Sequence, residues 1–444
     1  MASIDELFPR AVDAQRRGDF AAAERDYRQL LAIDPQHALS LSNLGVILGR
    51  RGELGEAIIA AENAVKADPN LAVAYFNLGN IYRRLSRPAD AAKAYERLLQ
   101  LTPGYAPGYL NLGIARGELG QWPVAIEHFR RALELQPGIA DGLFYLGDAL
   151  IHVGQIDQAI STLRAAVNQS PDLPRNYLAL ARALSSAGQF TEAILTAEEA
   201  LTLQPQHAVA HNFLGIVLDK AGQFDEAQPH FREAVRIRAD FAGAWSNLGL
   251  SLSSQGRSAE AAEAFAKAAE FRPDPIFASC RLLALLDSSS MTPENLFVEH
   301  LNWAAKYAAF PRGEASLPSI ASGQRLKIGY LFGDYKSSAL PLFLESLLAH
   351  HDREKFHLTC YTYTTPGSGM IDRLHILADD WQPLAGIDDS AVADRIHADK
   401  IDVLVDLYGH TFGNRLLVFA RKPARVNVSL FGYPSTTGLK EINY

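Results

Sequence analysis

Only two cysteines occur in the 444 residues, Cys280 and Cys360, far apart and without a Cys-x-x-Cys partner, so neither a disulfide framework nor a zinc site is indicated. That fits a reducing compartment. No stretch reaches the ~18 consecutive apolar residues that a membrane span needs. The opening "MASIDELFPRAVDAQ" has acidic residues where a signal peptide would have a basic stretch and an apolar run. The chain therefore reads as soluble and cytoplasmic. A basic block is missing as well: the formal charge is −8, most of the acidic excess lies before residue 325, and nucleic acid is a poor partner for such a surface. There is no G-x-G-x-x-G after the first strand-like run, no Walker loop and no H-E-x-x-H. What remains is ordinary globular composition, 48% apolar and 21% charged, enough for a sizeable core in two or three domains.

The first two thirds repeat. Prolines stand at 35, 69, 103, 137, 171 and 205, each 34 after the last; the next step falls on Ala239 and the one after on Pro273. The same ruler places Gly45, Gly79, Gly113, Gly147, Gly215 and Gly249, with Ala181 the exception, and turn glycines at 18, 52, 120, 154, 188, 222 and 256. This spacing predicts a repeated helix hairpin in which glycine makes the turn and proline ends the second helix. Eight units over residues 3–274 would stack into a right-handed solenoid with a concave inner surface. The repeat closely resembles the tetratricopeptide repeat, which implies an arm that binds a polypeptide or partner protein on its concave face. Asn43, Asn77, Asn111 and Asn247 share one register position, where an amide can donate to and accept from a peptide backbone; Tyr145, Ala179 and Phe213 interrupt the series. Alternatively, these asparagines cap or bridge neighbouring helices.

After Pro275 the ruler fails. Residues 275–324 read as a helical connector followed by the linker "PRGEASLPSIASGQ". Residues 325–444 then alternate short β-rich runs, "LKIGYLF", "FHLTCYTY", "DVLVDLY" and "VNVSLFGY", with helix-like stretches, which predicts a parallel sheet with crossover helices, an α/β Rossmann-like half-domain. Ligands in such sheets sit at the carboxyl ends of the strands. There the polar residues collect: Asp334 and Tyr335, then Gly409, His410, Thr411 and Gly413, then Tyr433, Pro434, Ser435, Thr436, Thr437 and Gly438. For His410 a structural reading, a loop imidazole bonded to a backbone carbonyl, stands beside the functional one, and His397 in a helix reads the same way.

Tetratricopeptide repeats followed by "RLKIGYLFGDY" and "VADRIHADKIDVLVDLYGHTFGNRLLVFARKPARVNVSLFGYPSTTGL" resemble the O-linked N-acetylglucosamine transferase and SPINDLY-like family, bacterial members especially. The resemblance implies a two-lobed GT-B glycosyltransferase that moves a sugar from a nucleotide sugar, UDP-N-acetylglucosamine or another such as GDP-fucose, to a Ser or Thr hydroxyl. No metal and no tightly bound cofactor are implied. The chain matches the N-terminal catalytic lobe, so the groups that would hold the donor are expected in a second lobe missing from this sequence, and the chain alone is expected to be inactive. The resemblance also implies catalytic roles for Asp334, His397 and His410 and a cleft loop of Gly409, Thr411, Tyr433, Pro434, Thr436, Thr437 and Gly438. Two departures stand out. Ser338 replaces the histidine of the family's first-strand loop, and Ser435 replaces a glycine. A hydroxyl is a poor base near neutral pH. The alternative function is a protein-binding scaffold with a degenerate transferase lobe, and a homodimer through the repeats is a further reading the sequence leaves open.

Overall fold

A computed structural model describes residues 3–289, 291–310, 323–332, 340–363, 369–430 and 432–444, and the chain divides into two compact units, residues 1–206 and 207–444. Unit 1 is six helix hairpins: α1 (Ile4–Arg16) with α2 (Phe20–Ile33), α3 (Ala38–Arg51) with α4 (Leu54–Ala67), α5 (Ala72–Arg84) with α6 (Pro88–Leu101), α7 (Ala106–Glu118) with α8 (Trp122–Leu135), α9 (Gly142–His152) with α10 (Ile156–Gln169), and α11 (Pro174–Ser186) with α12 (Phe190–Leu203). The expected turn glycines take left-handed backbone angles, Gly120 at φ 73° for example. In the third hairpin Ser86 occupies that position at φ 55°, a conformation that costs a side chain with a Cβ.

The glycines inside the first helices have a different cause. A Cβ on Gly113 would stand 2.5 Å from the Phe129 ring, and one on Gly79 2.5 Å from Tyr95. The residue sixteen further on in the sequence packs into the space the glycine leaves. At the exception, Ala181, that residue is Ala197, and both are fully buried. One apolar cluster joins Tyr27, Ile47 and Ile81 across three hairpins, so each hairpin completes its core on the next. The first helices of neighbouring hairpins also touch, α9 against α11 among them.

Unit 2 contains two further hairpins, α13 (Ala208–Lys220) with α14 (Phe224–Ile237) and α15 (Ala242–Ser254) with α16 (Ser258–Phe271). Helices α17 (Pro275–Leu286) and α18 (Pro293–Tyr307) follow, each started by a side-chain cap: Asp274 accepts from Ile276 N and Thr292 from Asn295 N. Residues 311–322, in which most of the expected linker falls, lie outside the described residues.

The sheet is built from β1 (Leu326–Phe332), α19 (Leu340–Ala349), β2 (Phe356–Thr362), α20 (Gly369–Leu377), β3 (Asp380–Pro383), α21 (Asp389–Ala398), β4 (Val403–Asp406), α22 (Leu416–Phe419) and β5 (Val426–Ser429). All neighbours are parallel and the strand order is β3-β2-β1-β4-β5. This is the expected Rossmann-like half-domain. The short edge strand β3, sequence "DWQP", carries too weak a signal to be read from the sequence. Successive residues of β1 feed opposite faces: Leu331 joins Tyr361, Leu404, Val392 and Ile396, whereas Tyr330 and Phe332 join Leu358, Leu348 and Leu374. Leu282 of α17 and Trp303 of α18 belong to the first of these cores, so the connector helices are packed directly on the sheet domain.

Two substitutions test this packing. Gly113→Ala is expected to lower stability by about 1–3 kcal/mol in urea unfolding, because overpacking at Phe129 outweighs the roughly 1 kcal/mol that alanine gains in a helix. Ser86→Gly is expected to raise stability by about 0.5–1 kcal/mol by relieving the left-handed serine.

Candidate functional site

At the carboxyl end of β4 the buried Asp406 accepts hydrogen bonds from the backbone N–H of Tyr408 at 3.1 Å and Gly409 at 2.8 Å, and from Ser429 Oγ at 2.8 Å. This turns the chain sharply into the 407–413 loop. The loop after β5 then packs on it so closely that side chains are excluded: a Cβ on Gly432 would run into the Leu407 carbonyl, and one on Gly438, at φ 73°, into the His300 carbonyl.

Two histidines fasten these loops to the connector helices. His410 Nε2–H donates to the Thr437 carbonyl at 2.9 Å, and Ser279 Oγ of α17 donates to His410 Nδ1 at 3.0 Å. His300 Nδ1–H donates to the Leu296 carbonyl at 2.7 Å and its Nε2 accepts from the Tyr433 hydroxyl at 2.6 Å. The carbonyl partners fix the tautomers, since a carbonyl can only accept. Trp303 presents an edge-on ring 4.6 Å from His410. Burial holds His410 down to about 3 and lowers His300 too, so both rings are neutral at physiological pH.

The expected site residues separate into groups. Gly409, His410, Thr411, Tyr433, Thr437 and Gly438 come together in this cluster, while Pro434 and Thr436 are exposed on its rim. The structural alternative for His410 is the geometry found: a fully bonded, fully buried imidazole. His397 is not brought to it. It is exposed in the last turn of α21, whose carboxyl end leads into the amino end of β4, because a crossover helix runs back against its strands. His397 and His410 thus belong to opposite edges of the sheet. Asp334 and Ser338 lie outside the described residues. Sequence reading passed over Ser279, His300 and Trp303. The i,i+3 spacing of His300 and Trp303 puts both on one face of α18, a signal that was available. It also passed over Phe412, 60% exposed at the tip of a loop otherwise held down.

In the repeats the asparagine amides are partly engaged. Asn43 donates to the Tyr27 hydroxyl, Asn77 to Ser42 Oγ, Asn111 to the Pro107 carbonyl and Asn247 to Asn212 Oδ1, at 2.9–3.1 Å. The bridging alternative therefore describes their N–H groups and also the oxygen of Asn111, which accepts from Arg83 at 3.2 Å; the acceptor oxygens of Asn43, Asn77 and Asn247 remain on half-buried side chains.

Because the folded chain keeps His410 and His300 neutral while the unfolded chain protonates them near 6.5, stability is full above that pH and falls as pH drops toward 3. Burial shifts Asp406 upward and so opposes this trend. In urea unfolding between pH 5.5 and 4.5, His410→Gln is expected to remove about 1.4 kcal/mol per pH unit of the parent's dependence, one proton's worth. An unchanged slope would contradict the neutral assignment of His410.

Comparison with known proteins places these features. Residues 295–444 match the family model for glycosyl transferase family 41, and tetratricopeptide models match 8–72, 70–138, 110–174, 150–217 and 214–275. Arabidopsis thaliana SPINDLY, named as a probable UDP-N-acetylglucosamine–peptide N-acetylglucosaminyltransferase, is 31% identical over 169 residues, 37% of this chain. A UDP-N-acetylglucosamine–peptide N-acetylglucosaminyltransferase of Caenorhabditis elegans is 31% identical over 128 residues, 28% of this chain and 11% of its own length. The matched stretch spans 18% of the length of the SPINDLY relative. Among solved structures, a point mutant of the Thermobaculum terrenum O-GlcNAc transferase superposes with a TM-score of 0.54 at 28% identity, covering 61% of this chain and 52% of that one. The chain thus joins a run of tetratricopeptide repeats to a glycosyl transferase family 41 domain.

Proposed function

We propose that this chain is the acceptor-side part of a protein O-glycosyltransferase of the O-GlcNAc transferase type. Its repeats hold a polypeptide whose Ser or Thr hydroxyl receives a sugar from UDP-N-acetylglucosamine or a related nucleotide sugar. One observation carries this reading: in the region that matches family 41, the strand-edge loops are bonded through His300 and His410 to α17 and α18, helices that extend the repeat stack. A polypeptide guided along those helices is delivered to the edge of a parallel sheet where ligands bind.

His410 is assigned here to holding the loop, since both ring nitrogens are engaged and it faces the helices. The loop surface of Thr411, Pro434 and Thr436 is the acceptor's contact, and Asn43 and Asn77 accept from peptide N–H groups along the arm, as does Asn111 with the lone pair left beside its bond from Arg83. Arg415 is committed to Asp389, the Tyr363 hydroxyl and the Ile387 carbonyl, so it is not free to stabilise a departing diphosphate. We assign the donor to a further lobe. A scaffold with a degenerate transferase domain is the second reading, favoured by the enclosure of His410 and the placement of His397 at the opposite edge.

Calorimetric titration of the 444-residue chain with UDP-N-acetylglucosamine is expected to give no binding tighter than about 1 mM, roughly −4 kcal/mol. Micromolar affinity would relocate the nucleotide to the strand-edge loops. Transfer to Ser/Thr peptides, followed by mass shift in a protein that also carries a donor-binding lobe, separates the enzyme from the scaffold; no transfer leaves the scaffold.

A further inference from the structure

The asparagine series stops at Tyr145 and Ala179, in the fifth and sixth hairpins, and the structure has an unusual arrangement at that place. Arg175 and Arg182 on α11 are each ion-paired to an aspartate one repeat earlier, Asp141 beside α9 and Asp148 within it. The spacing is regular. Arg175 and Arg182 lie at i−4 and i+3 from Ala179, and Asp141 and Asp148 lie at i−4 and i+3 from Tyr145, so each pair flanks a vacated asparagine position by one helical turn on the same face. Helix α9 also begins late, with Asp141 held in a left-handed conformation at φ 66°, a costly backbone for a residue with a side chain.

Both guanidiniums are fixed and under-used. Each carries an Nε with no hydrogen-bond partner, Arg175 lies over the Phe144 ring at 5.1 Å, and the two side chains are 42% and 41% exposed. Each contacts its aspartate through one nitrogen, so these part-exposed guanidiniums keep further N–H groups beside an aspartate oxygen; Asp148 Oδ2 also lies 3.8 Å from His152 Nε2. Seven residues separate the arginines along the helix, about 10.5 Å. Between them Ala179 is small and buried, leaving the helix surface low.

We propose that these two Arg–Asp rungs continue the asparagine ladder by other means, gripping the main chain of an extended polypeptide as it crosses α11 over Ala179. An amide side chain offers one donor and one acceptor; an Arg–Asp pair offers the same from two residues. Two pairs carry no net charge, so they hold the backbone without selecting acidic or basic sequences. The proposal rests on the reading that the arm binds polypeptide.

The test uses the 444-residue chain and fluorescein-labelled 20-residue peptides of Gly, Ser and Thr, either plain or with four Glu or four Lys, in fluorescence polarisation at 0.15 M salt. The parent is expected to bind all three within twofold, and the Arg175→Ala/Arg182→Ala double variant to bind each about tenfold more weakly. Its melting temperature should stay within a few degrees; if it does not, the same comparison is made with Arg175→Lys/Arg182→Lys, which is expected to lose about threefold. Asn43→Ala/Asn77→Ala/Asn111→Ala serves as the ladder control. Loss in the asparagine variant with none in the arginine variant overturns the rungs and leaves the ladder. Loss in the arginine variant alone overturns the ladder and keeps the rungs. A preference above fivefold for the Glu peptide overturns main-chain gripping in favour of a carboxylate clamp, and no binding by the parent overturns both.

Discussion

A helix hairpin has one apolar face more than it can cover, and everything in the repeat region follows from that constraint. Tyr27, Ile47 and Ile81 are buried only because three consecutive hairpins contribute to one cluster. Stacking therefore requires a constant register. The 34-residue period supplies it, and the register has a consequence beyond stability: any residue type repeated in step is placed in a row along the first helices. Arg175 comes to Asp141, and Arg182 to Asp148, by one 34-residue step between hairpins, while a sixteen-residue step within a hairpin brings Phe129 to the space at Gly113. Binding groups in such an arm are positioned by the core rather than by loops.

The sheet edge solves a different problem. Loops at the carboxyl ends of parallel strands bind ligands, yet loops carry few packing contacts of their own. Here Gly432 and Gly438 allow one loop to press against the Leu407 and His300 carbonyls, and two neutral imidazoles finish the attachment. Neutral rings suit that task. A neutral ring accepts from Ser279 or Tyr433 on the nitrogen that does not carry its proton, and burial keeps both rings in that uncharged form.

The solenoid was legible almost residue by residue, because glycine, alanine and proline at fixed spacing report backbone geometry that no other residue satisfies as cheaply. Even the exception at Ala181 is explained once Ala197 is seen sixteen residues later. The parallel sheet was legible from its β-rich runs, apart from the edge strand at Asp380–Pro383, which is too short and polar to announce itself. The site was less legible. His410 and His397 look alike in one dimension, and only the antiparallel run of a crossover helix separates them to opposite edges. The partners Ser279 and His300 are more than a hundred residues from the loops they hold, and no local pattern links such distances.

The two regions share an electrostatic character. In the proposed arm the rungs at α9 and α11 are Arg–Asp pairs and those at Asn43, Asn77 and Asn111 are amides, while the loops beyond β4 and β5 are held by uncharged imidazoles. The chain as a whole carries a formal charge of −8. Such a field acts over about 8 Å at physiological salt, which governs the rate of encounter with charged partners more than the strength of the final contact. In the proposed grip, retention then depends on hydrogen bonds to the main chain, which every sequence offers. On the proposed reading, an arm built this way would accept many polypeptides, and selectivity among Ser and Thr sites would arise where the side chain itself is held, at the loops beyond β4 and β5.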